Sequence, residues 1–459
     1  MAKKSLFDMK PVKGYEKELE DFFPMERRCS NCLGCKFVPF EKIKSNRFGR
    51  NCPSIWYYNF NLYSARGKFQ LGQNIQEDGF VKFEGRALEA IFGCQACGAC
   101  DVGCKVTRFN LEPLAHNIAL KERATSLGLA PVELKAAAKS LNTQKTMLPD
   151  CKKADRANWA KGLKLKDLSK GEAAEYVFFP GCMYAYDPSL QKKAKTYAHV
   201  LKQAGVDLGF LGAAEMCCGG RAKQMGFRDD FEKAAKANAA AWKKAGVVKI
   251  VTPCSDCYHG IKRQYALLGI KVEVVHATEL IADLIKAKKL KFKKSVDLSV
   301  TYHDPCRLGR LGEPHEDWDG TEVKILNQVH TWEPARPRYA GTYGIYDAPR
   351  EILSAIPGLR LIEMERIREN SWCCGAGGGC SVFSPEYSDA IASERVTEAQ
   401  ATGAEAIVTA CPWCEQNLSG IMLELGFISN AQDRQMLQES ETHKKIAQAV
   451  VRATQQYFE

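Results

Sequence analysis

Twenty cysteines in 459 residues, nearly all in tight groups, constrain this chain more than any other feature. Disulfide frameworks belong mainly to short secreted domains, whereas clustered cysteines in a long chain point to metal ligation or redox chemistry. Met1 to Phe23 mixes charged and aromatic residues and holds no continuous apolar leader core. No apolar run reaches bilayer length. The expectation is a cytoplasmic protein without a transmembrane segment of its own, peripheral to a membrane only through a partner. Its thiols then stay reduced and free to bind metal.

Spacing narrows the metal. Cys94-x2-Cys97-x2-Cys100-x3-Cys104 has the ferredoxin spacing of a [4Fe–4S] cubane. Cysteines at every third residue let one turn wrap three corners of a cube. The small residues Ala96, Gly98 and Ala99 let backbone N–H groups approach the sulfurs and tune them. Cys29-x2-Cys32-x2-Cys35 repeats the first three positions, and its fourth member, Cys52 before Pro53, follows after 16 residues. The fourth cysteine of such a motif serves the other cluster. The expected sets are therefore Cys29, Cys32, Cys35 and Cys104 for one cubane, and Cys94, Cys97, Cys100 and Cys52 for the other. CxxC pairs also build zinc sites, but triplets at successive threes, twice over, favour iron–sulfur.

The rest of the chain is duplicated, which predicts two like domains. In the first copy Tyr176–Pro180 reads as a strand running to Cys182. A helix with Leu190, Ala194, Tyr197 and Leu201 on one face stops at Gly205. Val206–Leu211 is extended and leads to Cys217–Cys218, and a helix covers Asp229–Lys244. The strand Lys249–Thr252 then delivers Cys254-x2-Cys257. In the second copy Leu298–Tyr302 leads to Cys306, with a helix around Pro349–Ile356. Leu359–Met364 precedes Cys373–Cys374, a helix spans Pro385–Ala401, and Ala406–Thr409 delivers Cys411-x2-Cys414. Alternating strands and helices predict parallel sheets, with ligands collected just past the strand ends. First cysteine and cysteine pair stand 34 residues apart in one copy and 66 in the other. The surplus of 32 falls near 311–342 and reads as an inserted surface loop.

The expected fold is thus α+β and α/β. A mainly helical two-cluster domain spans 1–149, with a helix from Leu111 to about Ser140. A Lys-rich linker covers 150–172, the two α/β copies cover 173–294 and 295–430, and a polar helix closes 431–459. Each copy holds a matching set of five cysteines: Cys182, Cys217, Cys218, Cys254 and Cys257, then Cys306, Cys373, Cys374, Cys411 and Cys414. Adjacent cysteines do not both point comfortably into one ordinary cube and suit a larger, unusual site. Cys151 in the linker reads as a free thiol, and Cys380 as either a turn residue or a neighbour of a cluster. His303 and His259, close to ligating cysteines, are candidate proton carriers, with a packed imidazole the bland alternative.

The formal charge of +11 counts every thiol as neutral. Each cubane with four thiolates nets 2−, so two of them lower +11 to +7. The lysines are spread along helical faces, and no nucleic-acid motif accompanies them. No Gly-rich fingerprint follows a strand and opens a helix, so no flavin or NAD is expected on this chain; 375–379 follows a cysteine pair instead.

The order Cys, Cys-Cys-Gly, Cys-x2-Cys resembles the CCG domain of heterodisulfide reductases. The phrases 302–310 (YHDPCRLGR), 346–351 (YDAPRE) and 372–379 (WCCGAGGG) carry that likeness. Two ferredoxin motifs followed by two CCG domains resemble the D-type subunit of heterodisulfide reductases. They are similar also to the iron–sulfur subunit of anaerobic glycerol-3-phosphate dehydrogenase and to subunits of class II benzoyl-CoA reductase complexes. The likeness spans about Cys29 to Leu425. It implies that each five-cysteine set carries a noncubane [4Fe–4S] cluster and that the pair of sets cleaves a disulfide. Arg307, where relatives often have His, and the insertion are departures from the pattern.

Three functions follow. The first is an oxidoreductase subunit passing electrons from two cubanes to two noncubane clusters that reduce a small disulfide. The second is a relay between a flavin-containing or quinone-linked redox subunit and another acceptor, such as ferredoxin or an acyl-CoA reductase. The third is a structural metal-binding or sensor protein. The first two imply partner subunits in a multisubunit complex, expected of an anaerobic metabolism.

Overall fold

A computed structural model describes residues 17–77, 82–105, 110–314, 318, 320–326 and 329–425. The C-terminal helix expected over 431–459 lies outside them.

Up to Gln144 the described elements are helices, apart from one antiparallel bridge between Phe37 and Arg50. The single helix expected from Leu111 to Ser140 is two, Pro113–Ser126 and Val132–Gln144. Gly128 adopts φ +75°, and Pro131 caps the second helix, so the chain turns where neither residue favours helix. The two share one core, Leu120, Ala124, Leu134 and Leu141 all being buried.

A five-stranded parallel sheet follows, built from β1 (Lys166–Asp167), β2 (Tyr176–Phe178), β3 (Leu208–Phe210), β4 (Lys249–Thr252) and β5 (Glu273–His276) in the order β1-β3-β2-β4-β5. The segment expected as a linker supplies the edge strand β1 and a 3-10 helix, Lys153–Ala160, that buries Arg156 and Trp159. Its apolar pattern is too sparse to announce this, because one tryptophan does most of the packing. The helix Pro188–Gln203 begins where Asp187 accepts N–H bonds from Ser189 and Leu190 at 2.8 and 3.1 Å, with Pro188 at the first helical position. Such a cap stabilises a helix by about 1 kcal/mol. Leu190, Ala194, Ala198 and Leu201 form its buried face.

The second copy has β6 (Leu298–His303), then a hairpin of β7 (Thr321–Ile325) and β8 (Val329–Glu333), then β9 (Leu359–Leu361) and β10 (Ala406–Thr409). Its parallel sheet runs β10-β6-β9. The hairpin falls inside the insertion expected as a loop, and Leu326 beside its turn is exposed. One continuous core takes in the N-terminal helices, the five-stranded sheet and part of β6. Among the described residues no helix is long and apolar enough to cross a membrane.

Candidate metal centres

Both cubane loops adopt one backbone shape. Asn31 and Ala96, second after the first cysteine, have φ +57° and +51°; Leu33 and Gly98, just past the second cysteine, have +65° and +75°. The left-handed positions turn each loop back on itself, which a run of cysteines around one small body requires. The loops are adjacent, with Cys35 and Cys100 packed on Ala65. Gly34 and Gly103 come so close that a Cβ on Gly103 would lie 2.3 Å from the Gly34 carbonyl oxygen.

That approach carries Cys104 to the first loop. Burial pushes its thiol up to about 12, and Cys35 and Cys29 are among the groups that act on it. On the other side, Asn51 donates to the Ala99 carbonyl at 2.6 Å, which places Cys52 against the second loop, where Cys97 and Cys94 act on it. Cys52 also lies near Cys35, so the two sets adjoin. Cys32 is exposed, Cys29 is half-buried, and Cys97 and Cys100 are buried.

The five-cysteine sets follow one plan. The Gly after each pair has positive φ, +73° at Gly219 and +93° at Gly375, and turns its N–H onto the first sulfur of the pair: Gly219 to Cys217 at 3.5 Å, Gly375 to Cys373 at 3.4 Å. A Cβ at Gly375 would sit 2.3 Å from the Ser388 carbonyl oxygen. The CxxC of each copy lies at a helix N-terminus, with Cys254 capping Ser255–His259 and Cys411 preceding Pro412–Leu425, where backbone N–H groups favour thiolate. Cys217 and Cys257 donate to Cys218 and hold its thiol well below the usual range. Cys373 and Cys414 do the same for Cys374, drawing it down to about 6.

One sulfur contact closes the first set and two join the sets. Cys182 meets Cys217, Cys254 meets Cys411, and Cys97 of the second cubane loop meets Cys373. Sulfur neighbours therefore run without a break from the second cubane loop through the second set to the first. Cys306 is half-buried; the other nine of these ten cysteines are buried.

Buried cations knit this assembly. Arg307 donates to the Ala96 carbonyl at 2.7 Å, Arg310 to Cys97 at 2.9 Å and Lys121 to Cys94 at 2.6 Å, so three cations hold one four-residue stretch. Arg310 also donates to Glu369 and Ser371, and Lys121 to Gly378. The glycines of 372–379 let this happen: Cβ atoms on Gly377 and Gly378 would lie 2.2 and 2.3 Å from the carbonyls of Gln95 and Cys94. In the first copy Arg156 Nη1 lies 3.9 Å from Cys182 Sγ and its guanidinium pairs with Glu215. Burial raises the Glu215 carboxyl to about 7. Reading the sequence singled out Arg307 only as a departure from the family pattern and missed the other three cations. Arg307 and Arg310 lie inside the phrase 302–310, whereas Lys121 and Arg156 carry no local signal.

The two histidines are both buried and hydrogen-bonded. His303 Nδ1 accepts from Arg395 Nε at 3.0 Å, and burial with that guanidinium lowers its pKa to about 3. His259 Nδ1 lies 3.3 Å from Arg307 Nη1, and burial drives its pKa well below the usual value. Each side chain is neutral near pH 7, which suits hydrogen bonding more than proton transfer. Cys380 is fully buried and its Sγ–H donates to the Phe92 carbonyl at 3.6 Å. Cys151 is half-buried in the region of Cys182.

The donor sets suit iron–sulfur clusters. They consist of soft thiolates in groups of four and five. His303 Nε2 is buried with no hydrogen-bond partner, and a ring nitrogen of His303 and the Cys374 and Cys414 sulfurs all lie within 4.8 Å of one another.

A family model described as the Cysteine-rich domain, CCG, matches residues 176–262 and 300–419. The D-type subunit of the dihydromethanophenazine:CoB–CoM heterodisulfide reductase of Methanosarcina mazei is 34% identical over 403 residues, covering 85% of this chain and 87% of that one. The probable iron–sulfur-binding oxidoreductase FadF of Bacillus subtilis is 32% identical over 336 residues, 71% of this chain and 42% of its own. The EtfAB:quinone oxidoreductase of Syntrophomonas wolfei is 30% identical over 273 residues, 57% of this chain and 34% of its own.

Proposed function

Because the chain belongs to the family of CCG iron–sulfur oxidoreductase subunits typified by the D-type subunit of heterodisulfide reductase, we propose that it is a redox subunit carrying electrons from two [4Fe–4S] cubanes to two noncubane clusters that reduce a disulfide. The observation that carries this reading is the unbroken series of sulfur neighbours, Cys97 to Cys373 and Cys411 to Cys254. Cys29, Cys32, Cys35 and Cys104 would hold one cubane, and Cys52, Cys94, Cys97 and Cys100 the other. Cys182, Cys217, Cys218, Cys254 and Cys257 would hold one noncubane cluster, and Cys306, Cys373, Cys374, Cys411 and Cys414 its counterpart. Bound there, the clusters supply reversible one-electron transfer, and in pairs the two electrons that a disulfide requires.

The chain's own residues do the rest. Cys32 is exposed and faces solvent, where a partner subunit would deliver charge. Arg307, Arg310 and Lys121 hold the second loop rigidly and place positive charge beside it, which favours an added electron. The CCG glycines direct N–H groups at sulfur. Packing around nine of the ten cysteines keeps water from them.

A second reading is a relay in a complex that ends at a quinone, ferredoxin or an acyl-CoA reductase, with flavin on a partner subunit. It is favoured by the burial of nine of the ten cysteines and by the likeness to an EtfAB:quinone oxidoreductase. The two are separated by supplying the anaerobic, fully loaded protein with reduced viologen and the heterodisulfide of coenzymes M and B. Viologen oxidation with release of both thiols supports the first reading. Full iron content without turnover, of this or other thiol disulfides, overturns it in favour of the relay.

A further inference from the structure

The two CCG copies differ at one buried position next to their clusters, and the difference has a chemical sign. Three residues before the first cysteine stands His303 in the second copy and Phe179 in the first. The positions correspond in space as well. His303 ends β6 and is in register with Thr409 of β10, two residues before Cys411. Phe179 follows β2, whose Phe178 is in register with Val251, so that it faces Thr252, two residues before Cys254.

His303 is 1% exposed. Its Nδ1 meets Arg395 Nε at 3.0 Å. A guanidinium N–H only donates, so Nδ1 presents its lone pair and Nε2 carries the proton. Arg395 is itself fixed by Glu398 at 2.7 Å, by the Arg366 carbonyl at 3.0 Å and by Ser371 Oγ at 3.1 Å. The ring therefore has little freedom to turn over. Its Nε2 makes no hydrogen bond, and one of its ring nitrogens lies within 4.8 Å of the Cys374 and Cys414 sulfurs. A buried N–H left without an acceptor is costly, and a thiolate sulfur is the acceptor that this site offers.

We propose that His303 is a hydrogen-bond donor to the thiolates of the second five-cysteine set and that it raises the reduction potential of that set; at the same position in the first set Phe179 offers no donor, and the donor there is Arg156, on Cys182. A hydrogen bond to a ligating sulfur withdraws charge from it and stabilises the reduced state. The set so tuned is the one that adjoins the second cubane loop through Cys97 and Cys373. The inference rests on the ligand assignment above.

The test is an EPR-monitored redox titration of the whole protein, with iron counted in every sample. His303→Phe, which copies the first module, is expected to lower the midpoint of one noncubane set and leave the other three sites unmoved. His303→Gln, which keeps an N–H, is expected to restore most of that shift. Wild-type protein labelled with 15N-histidine needs no substitution, and pulsed EPR on it is expected to show the weak coupling of a hydrogen-bonded nitrogen. The strong coupling of a nitrogen bound to iron, or unaltered midpoints in His303→Phe with full iron, overturns the inference. Wild-type protein that lacks the noncubane signals altogether overturns the ligand assignment instead.

Discussion

Replacing Arg310 by Gln removes a permanent positive charge from the backbone of the second cubane loop while keeping a group able to donate to the Cys97 carbonyl. In the native protein that donor lies 2.9 Å from the carbonyl oxygen and is fully enclosed. A unit charge about 8 Å from the added electron, at an effective dielectric near 20, is worth roughly 2 kcal/mol. At about 59 mV per tenfold change for one electron, this lowers the midpoint of that cubane by roughly 90 mV. Arg307 and Lys121 remain in place and keep part of the positive field. The assay is an EPR-monitored potentiometric titration under anaerobic conditions, with Arg310→Lys as the charge-conserving control and a shift below about 30 mV expected for it on the same argument. The first cubane, farther from Arg310, is expected to move much less. A midpoint in Arg310→Gln that stays put or rises, with iron content intact, would refute the claim that this cation acts on the cluster held by Cys97.

Exchange of fourth ligands predicts that Cys104→Ser abolishes the same EPR signal as Cys32→Ser, and that Cys52→Ser abolishes the same signal as Cys97→Ser; the opposite pairing sinks the assignment. Gly375→Ala pays both a left-handed backbone, about 1–2 kcal/mol, and a 2.3 Å clash with the Ser388 carbonyl oxygen, whereas Gly403→Ala has φ +72° but open space. Anaerobic urea unfolding is expected to show Gly375→Ala as the clearly weaker protein, and equal losses would contradict the packing. Burial lowers the Lys223 pKa from 10.5 to about 8, so between those values the unfolded chain binds more protons than the folded one. Stability is then expected to rise with pH from about 8 to 10.5, by at most about 1.4 kcal/mol per pH unit from this group. Lys223→Met is expected to flatten that rise, and an unchanged slope would rule the lysine out as its source.

Strands dense in β-branched residues are legible in the sequence: Lys249–Thr252 and Ala406–Thr409 coincide with the strands observed. The helix Pro385–Gln400 stops one residue short of its expected end. The unit β5 and its helix Ala277–Lys286 have no counterpart among the expected elements, because a four-residue strand between lysine-rich segments gives a weak pattern. The edge strand Lys166–Asp167 is two polar residues long and has no sequence signature. The break at Gly128 and Pro131 is visible in principle, since both residues interrupt a helix, but the Ala- and Leu-rich flanks mask it.

Ligand chemistry is legible locally, because the turn of a ferredoxin or CCG motif places cysteines a few positions apart; which cysteines come together depends on packing, as the approach of Gly103 to Gly34 that carries Cys104 to the first loop shows. The meeting of Cys254 with Cys411, and of Cys97 with Cys373, joins residues more than a hundred positions apart. So does the closing of Arg307 and Arg310 on residues 96 and 97. Those contacts exist only because the sheets and helices pack in one arrangement, with glycines such as Gly377 and Gly378 allowing the backbones to touch. The cysteine motifs belong to the sequence, and their order in space to the tertiary fold.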